Sequence, residues 1–362
     1  MCYVNPIFYQ INSREGFLRM KSSAQNRIRS ISYAKYGYFF ILPFFIVYFI
    51  FQLYPLFNTF KLSLYGNGNN LNAYVGLDNF KILLFGEGAG NIVEKVAQAQ
   101  HDAVFRALGN TLILWFGNFI PQICLSLLLA VWFTDLNLKI KGKTFFKVVM
   151  YLPNIVTAAS VAALFLMLFG RTKYGPINSL LIDFFNFSEP VDFIRDKTIS
   201  RAVVMFIQTW MWFGNTMIML MAAIMGISPS LFEAADIDGA NSRQVFTKVT
   251  LPLLRPMVLY TMITSMIGGL QMWDIPYLYK EGNAFNENIK TIAVYIYNHF
   301  HSLNPNYGYS AAASVLLFFI TSILGSFCFA MNRDKDAAKR KKQIREAKKR
   351  MKQQNKATFG GF

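Results

Sequence analysis

Six times along this chain an apolar run of about 20 residues recurs, the length an α-helix needs to cross a ~30 Å hydrocarbon layer. The runs are 37–57 ("GYFFILPFFIVYFIFQLYPLF"), 108–133, 148–169, 203–226, 257–279 and 309–331. Within lipid each backbone N–H and C=O must pair inside its own segment, which leaves the helix as the only open-ended solution. The expectation is an all-α polytopic membrane protein with six transmembrane helices. Helices buried in a soluble bundle average about 11–12 residues and keep a polar face, and these runs do neither. Charged residues make up 15% of the chain, against about a quarter in soluble domains.

The net charge of +17 would suggest a nucleic-acid partner if it were spread over one surface. It is not. Residues 1–35 hold six Lys/Arg and one acid, and residues 333–362 hold twelve and three. The loop 134–147 holds Lys139, Lys141, Lys143 and Lys147 against Asp135, while the loops 58–107 and 280–308 each balance to zero. Six spans place both termini on one side, together with the loop 134–147 and the loop between spans four and five. The basic excess falls on that side, so the positive-inside rule puts both termini in the cytosol. The domain reading is a basic cytosolic segment 1–35, a six-span domain 36–332 and a basic cytosolic tail 333–362. The tail reads as an anchor along the membrane lipid, with no nucleic acid as partner.

Cys2, Cys124 and Cys328 show no metal-ligand spacing, and two fall inside spans. The first apolar run is long enough to span and lacks a small-residue cleavage site. Met20 precedes a basic, Ser-rich run, so residues 1–19 read as an upstream extension that function does not need. The 58–107 loop ends in "GNIVEKVAQAQHDAVFRALGNT", a helical stretch leading into the second span.

The spans carry almost no ionisable residues; Asp274, toward the outer end of the fifth, is the exception. An ion-coupled carrier needs intramembrane acids, bases or broken helices, and the pattern suggests none, so energy for transport must come from elsewhere. There is no HExxH, no His/Asp/Glu cluster, no nucleophile beside a base and no GxxxxGK[ST]. The chain is therefore expected to be neither an enzyme nor an ATP binder, and to hold no metal or cofactor. Neutral polar groups are plentiful. In the fourth span Gln208, Trp212 and Asn215 stand at i, i+4 and i+7, and in the fifth Ser265, Gly269 and Trp273 repeat that kind of spacing. Asn118, Pro121 and Gln122 lie in the second span, and Pro153, Asn154, Thr157 and Ser160 in the third. Amides and hydroxyls bond sugar OH groups and indole faces cover sugar C–H faces. The same residues also serve as plain glue between membrane helices, and Trp273 as an interfacial belt residue.

Between spans four and five lies "ISPSLFEAADIDGANSRQVFTKVTLPLLRP", far longer than a connector requires. A helix can start with Ser228 as N-cap and Pro229 at N1, or with Ser230 as N-cap and Glu233 at N3. Gly239 is placed to end it in the left-handed conformation. A second short helix is expected through Phe246 to Thr250, after which Pro252 and Pro256 restart the chain toward the fifth span. The product is a cytosolic helix–turn–helix over 228–256.

This segment resembles the EAA loop of the membrane subunits of binding-protein-dependent ABC importers. Glu233, Ala234, Ala235, Asp238, Gly239, Ala240, Phe246, Leu251, Pro252 and Pro256 fall on that pattern in one register. "FFILPFFIVYFIFQLYPLFNTFKLSL", "GLDNFKILL", "ALGNTLIL", "FFKVVMYLP", "YGPINSLL", "TIAVYIYNHF" and "YGYSAAASVLLFFI" resemble the carbohydrate-uptake branch, the maltose, lactose and glycerol-phosphate type permeases. The resemblance implies a permease domain that pairs with a second, homologous permease and with two cytosolic ATPase subunits, which use ATP and Mg. An extracytoplasmic solute-binding protein would deliver the sugar, a di- or oligosaccharide, with glycerol phosphate or a small polyol as the other choice. Leu231, Phe232 and Ala235 would fill an ATPase cleft, and Glu233 and Gly239 would shape the knob. A secondary carrier and a membrane scaffold are the readings from other classes. The location implied is a bacterial plasma membrane.

Overall fold

The computed structural model describes residues 34–331 except 67–72, 89–92, 136–137, 139 and 283–285, together with 343–347. The upstream extension 1–19 and the basic tail lie outside the described residues, apart from a helical turn at 343–347. Among the described residues the only β pairing is an isolated bridge between Tyr65 and Tyr74. Everything else is helix or turn, built around the six apolar runs.

The described chain divides into two units, one reaching Thr59 and one starting at Phe60. The first contains α1 (Ala34–Tyr48), a wide π-helical turn (Phe49–Leu53) and most of α2 (Tyr54–Leu62). Together they supply the 27-residue apolar helix Tyr36–Leu62. The wide turn has a cause in the sequence. In a regular helix the ring of Pro55 would press on the carbonyl four residues back. The turn before it opens instead, and the Tyr54 N–H reaches the Phe49 carbonyl.

The second unit continues with α3 (Asp78–Phe85) and α4 (Glu94–Thr134), a 41-residue helix. The stretch 94–107 is thus a helix running straight into the second span. Next come α5 (Lys143–Ile155), α6 (Ala158–Leu168), α7 (Pro176–Phe185) and α8 (Lys197–Met225). The remainder is α9 (Pro229–Ile237), α10 (Ser242–Gln244), a second π run (Val245–Thr250), α11 (Leu251–Leu270), α12 (Asp274–Leu278), α13 (Ile292–Phe300) and α14 (Tyr307–Met331).

Helices α4 and α8 form the centre. One buried cluster joins α4 to α3, α11, α13 and α14 through Ile82, Val104, Leu270, Tyr295 and Ala312. A second joins Leu114 of α4 to Phe165 of α6, Ile207 of α8 and Ile275 of α12. A third packs Ala130 and Phe133 of α4 on Met217 and Leu220 of α8 and Leu254 of α11. Lipid is as apolar as leucine, so close fit and interhelical hydrogen bonds hold membrane helices together. Both are present. Ser126 donates to the Phe213 carbonyl at 2.7 Å and Thr209 donates to the Asn118 carbonyl at 3.2 Å. Gly214 lets α5 lie directly against α8, since a Cβ there would strike the Met150 carbonyl.

The third run does not form one continuous span. α5 and α6 meet at a bend of 95°, which corrects both the unbroken span 148–169 and the expected lack of broken helices. Pro153 denies α5 one hydrogen bond near its end. Val156 and Thr157 then turn extended, with ψ of 138° and 143°. The Thr157 hydroxyl caps the new helix by accepting the Ser160 N–H at 3.3 Å. Pro252 likewise fails to restart the chain: helix runs on from Ser242 through the π run into α11. The fifth span then breaks at Gln271–Trp273, before the short α12.

Candidate functional site: a polar cavity and a capped loop

A cavity of about 360 Å³ opens between α4, α8 and α11. From α4 come Trp115, Asn118 and Gln122, which stand at i, i+3 and i+7 on one face. α8 contributes Gln208, Trp212, Asn215, Thr216 and Met219, while α11 presents Tyr260, Thr261, Thr264, Ser265, Gly268 and Gly269. Gln271, Met272 and Asp274 close one end. The walls are pinned from behind. Gln122 Nε2 donates to Thr216 Oγ1 at 2.8 Å, and the Trp115 indole N–H donates to Ser265 Oγ at 3.3 Å. A Cβ on Gly269 would run into the Trp115 ring, so the glycine gives the indole its place. Asn118, Gln122, Gln208, Thr216 and Thr261 are buried, and Trp212 is exposed.

Five of the six residues singled out from spacing therefore meet at one cavity: Gln208, Trp212, Asn215, Ser265 and Gly269. Trp273 does not join them. Helical spacing holds only while the helix lasts, and α11 ends at Leu270. Trp273 instead packs with Tyr277 at 4.9 Å and with Tyr297 at 4.9 Å, and its buried indole N–H finds no partner among the described residues. On the α4 wall, Asn118 and Gln122 were among the polar residues read in the second span, whereas Trp115 and the periodic face it shares with them were not.

Beyond one end of the cavity the loops are locked by polar contacts. Thr291 Oγ1 donates to the Met272 carbonyl at 2.6 Å, and the Ile292 N–H donates to Thr111 Oγ1 at 2.9 Å. Asn110 Nδ2 donates to the carbonyls of Glu287 (2.8 Å) and Lys290 (3.0 Å), and Arg201 donates to Asn110 and to the Asn288 carbonyl. Arg171 bridges Asp192 at 2.9 Å and Glu281 at 2.7 Å. Its hydrogen bond to Glu281 raises the already high guanidinium pKa. Burial works against the Asp192 charge. The N–H groups of Arg195 and Ile194 and the Arg171 guanidinium outweigh it and hold this carboxyl below the usual range.

At the far end of α8 the chain enters α9 with Ser228 as N-cap and Pro229 at N1. Ser230 does not cap: its hydroxyl meets that of Ser228 at 2.8 Å. Asp238 closes the helix and Gly239 follows at φ +70°. The Ala240 N–H bonds the Ala235 carbonyl (2.9 Å) and the Gly239 N–H bonds the Asp236 carbonyl (3.0 Å), the paired closure that needs a left-handed residue. Asn241 then opens α10 through a capping box with Gln244, a signal the sequence held at the right spacing. No residue of α9 is buried. Glu233, Ala234, Asp238 and Gly239 are exposed and Phe232, Ala235 and Ala240 half-buried. Leu231 is 45% exposed and Ile237 86%; Ile237 was not among the residues singled out. Leu251 and Pro252 are exposed at the start of α11.

Long apolar helices around a cavity lined by neutral polar groups and one acid, Asp274, with a capped helical loop continuous with one cavity wall, define a multi-pass membrane permease. The chain belongs to the family of binding-protein-dependent transport system inner membrane components, whose model matches residues 122–333. It is the membrane subunit of such an ABC importer and non-catalytic, ATP hydrolysis residing in separate subunits. It is 30% identical to a lactose transport system permease of Rhizobium radiobacter, over 83% of this chain and 94% of the relative. It is 28% identical to an arabinooligosaccharides transport system permease of Bacillus subtilis, over 84% and 91%. Its fold is shared by a bacterial ABC transporter that imports the acidic polysaccharide alginate, with TM-score 0.70 and 22% identity over 85% of this chain and 98% of that one.

Proposed function

We propose that this permease forms part of the translocation path of an ATP-driven importer for a neutral di- or oligosaccharide. The observation that carries the reading is the cavity's chemistry: amides, hydroxyls and indoles from three helices, with no lysine or arginine among its lining residues. Such a wall offers hydrogen bonds to sugar OH groups and flat faces to sugar C–H groups. It offers a phosphate no positive charge, which weighs against glycerol phosphate. The names of the lactose and arabinooligosaccharide relatives point the same way. Gln208, Trp212, Asn215, Ser265 and Gly269 are the residues assigned to the path.

The reading assigns the chain one homologous permease partner, two cytosolic ATPase subunits and an extracytoplasmic solute-binding protein. It binds no cofactor itself, while ATP and Mg act on the ATPases. Both termini and the 228–256 loop face the cytosol, at a bacterial plasma membrane. Leu231, Phe232 and Ala235 of α9 sit against an ATPase cleft, flanked by Glu233 and Ala234. Asp238, Gly239 and Ala240 fix the turn, and Leu251 and Pro252 carry its movement into α11. ATPase closure then shifts that wall between two arrangements.

The test is uptake of labelled oligosaccharide by cells whose partner ATPase carries a dead nucleotide site. Uptake stops for this mechanism. Continued uptake would mark a secondary carrier and overturn it.

A further inference from the structure

Asp274 is the one charged residue among those that line the cavity. Its carboxylate has no hydrogen-bond or ion-pair partner among the described residues, whereas Asp192, Glu281 and Glu287, in the loops beyond, are each paired with a base. An acid in the first turn of α12 also suits a helix N-terminus. That role alone leaves unexplained why this acid, unlike its neighbours, stays unpaired and lines an otherwise neutral space. We infer that Asp274 is a charge-selecting residue. It makes the cavity admit neutral and cationic sugars and turn away anionic ones, such as uronates and sugar phosphates.

Asp274 is exposed to the cavity's water. Two unit charges a few ångströms apart near a protein surface still interact strongly enough to change an encounter roughly tenfold, and low-dielectric walls concentrate that field. The lining holds no lysine or arginine to cancel it. Fold does not decide the matter: the solved transporter of the same fold imports an acidic polysaccharide. The discrimination belongs to side chains such as this one. The inference rests on the reading of the cavity as the solute path, and it adds the charge class of the solute.

The test reads the field directly, without a sugar. In the reconstituted full complex, with Cys2, Cys124 and Cys328 replaced, Gln271→Cys places a thiol at the exposed end of the cavity, three residues from Asp274. Its reaction rates with a cationic and an anionic methanethiosulfonate are compared, each normalised to a free thiol in solution. The expected result is a cation preference of about tenfold that collapses toward unity in Asp274→Asn. A ratio near unity with Asp274 in place, a ratio unchanged by Asp274→Asn, or no reaction with either reagent would each overturn the inference. Neutral-oligosaccharide uptake is measured separately. Absence of that uptake from the complex that keeps its native cysteines would count against the sugar path, while the thiol ratio still decides the role of Asp274.

Discussion

At the scale of single residues, the glycines carry much of the design by what they omit. Gly269 leaves room for the Trp115 ring, and Gly214 lets α5 touch α8. Gly239 differs, since nothing lies within 4 Å of its missing Cβ and its φ is +70°. Its requirement is conformational. A β-branched residue there pays about 1–2 kcal/mol for the left-handed backbone, enough to reshape the turn without touching the spans. Gly239→Val is therefore expected to reduce sugar uptake severely while ATPase activity and membrane insertion persist, and Gly239→Ala to do so mildly. Paired uptake and ATP hydrolysis assays on one preparation check this; normal uptake by Gly239→Val would remove the coupling role. Gly239 was legible because a helix-ending glycine leaves a local mark. Gln208, Trp212 and Asn215 were legible because spacing within an unbroken helix fixes a face. Trp273 was misplaced because spacing says nothing about where the helix stops. The task of Gly214 was hidden, because its neighbour, the Met150 carbonyl, lies 64 residues away in sequence.

At the scale of elements, all six apolar runs became helices, but their interruptions were not foreseen. Proline is tolerated inside membrane helices because neighbouring groups can re-satisfy the freed backbone. A sequence therefore does not distinguish a proline that bends a helix from one that ends it. Pro121 and Pro256 sit inside continuous helices, while Pro153 lies just before a 95° bend. Pro55 and Pro252 each follow a π run ending two residues earlier, a shared local answer to the same steric demand. At the third span the cap does the work of fixing the bend. Thr157→Ala removes the acceptor for the Ser160 N–H, a loss of about 0.5–2 kcal/mol for a cap. Faster amide hydrogen exchange at 157–161, with little change across α8, is the expected outcome. Unchanged exchange there would mean that packing alone holds the bend.

At the scale of the whole molecule, charge does two jobs that composition alone merges. The basic ends predict which side they occupy, while Asp192, Glu281 and Glu287 pair with bases in the loops. The Arg171 bridge to Asp192 and Glu281 ties the loop after α6 to the loops after α7 and α12. Because the Asp192 carboxyl is held below its usual range, its contribution is present above the unfolded value near 4 and lost as pH falls through the lower folded one. Asp192→Asn should thus lower the melting temperature equally from about pH 5 to pH 8, with the difference from the parent closing only below about pH 4. Melting curves across that range check the sign; a gap that closed near neutrality would contradict it. The identity of the particular sugar left no such mark, because a wall of amides, hydroxyls and indoles suits many neutral sugars alike. One dimension of α4 has a consequence for how partner molecules meet the chain. Its residues 94–107 precede the apolar run and, at 1.5 Å each, rise about 20 Å beyond it. Lipid headgroups occupy only the first ~7 Å of that height, and surface charge fades within ~8 Å in physiological salt. With α4 along the membrane normal, its tip, braced by α3 and by the Tyr295 hydroxyl on Gln100 at 2.7 Å, would stand clear of the bilayer's electrical skin. A visitor landing there would be indifferent to whether the lipids beneath are anionic or neutral.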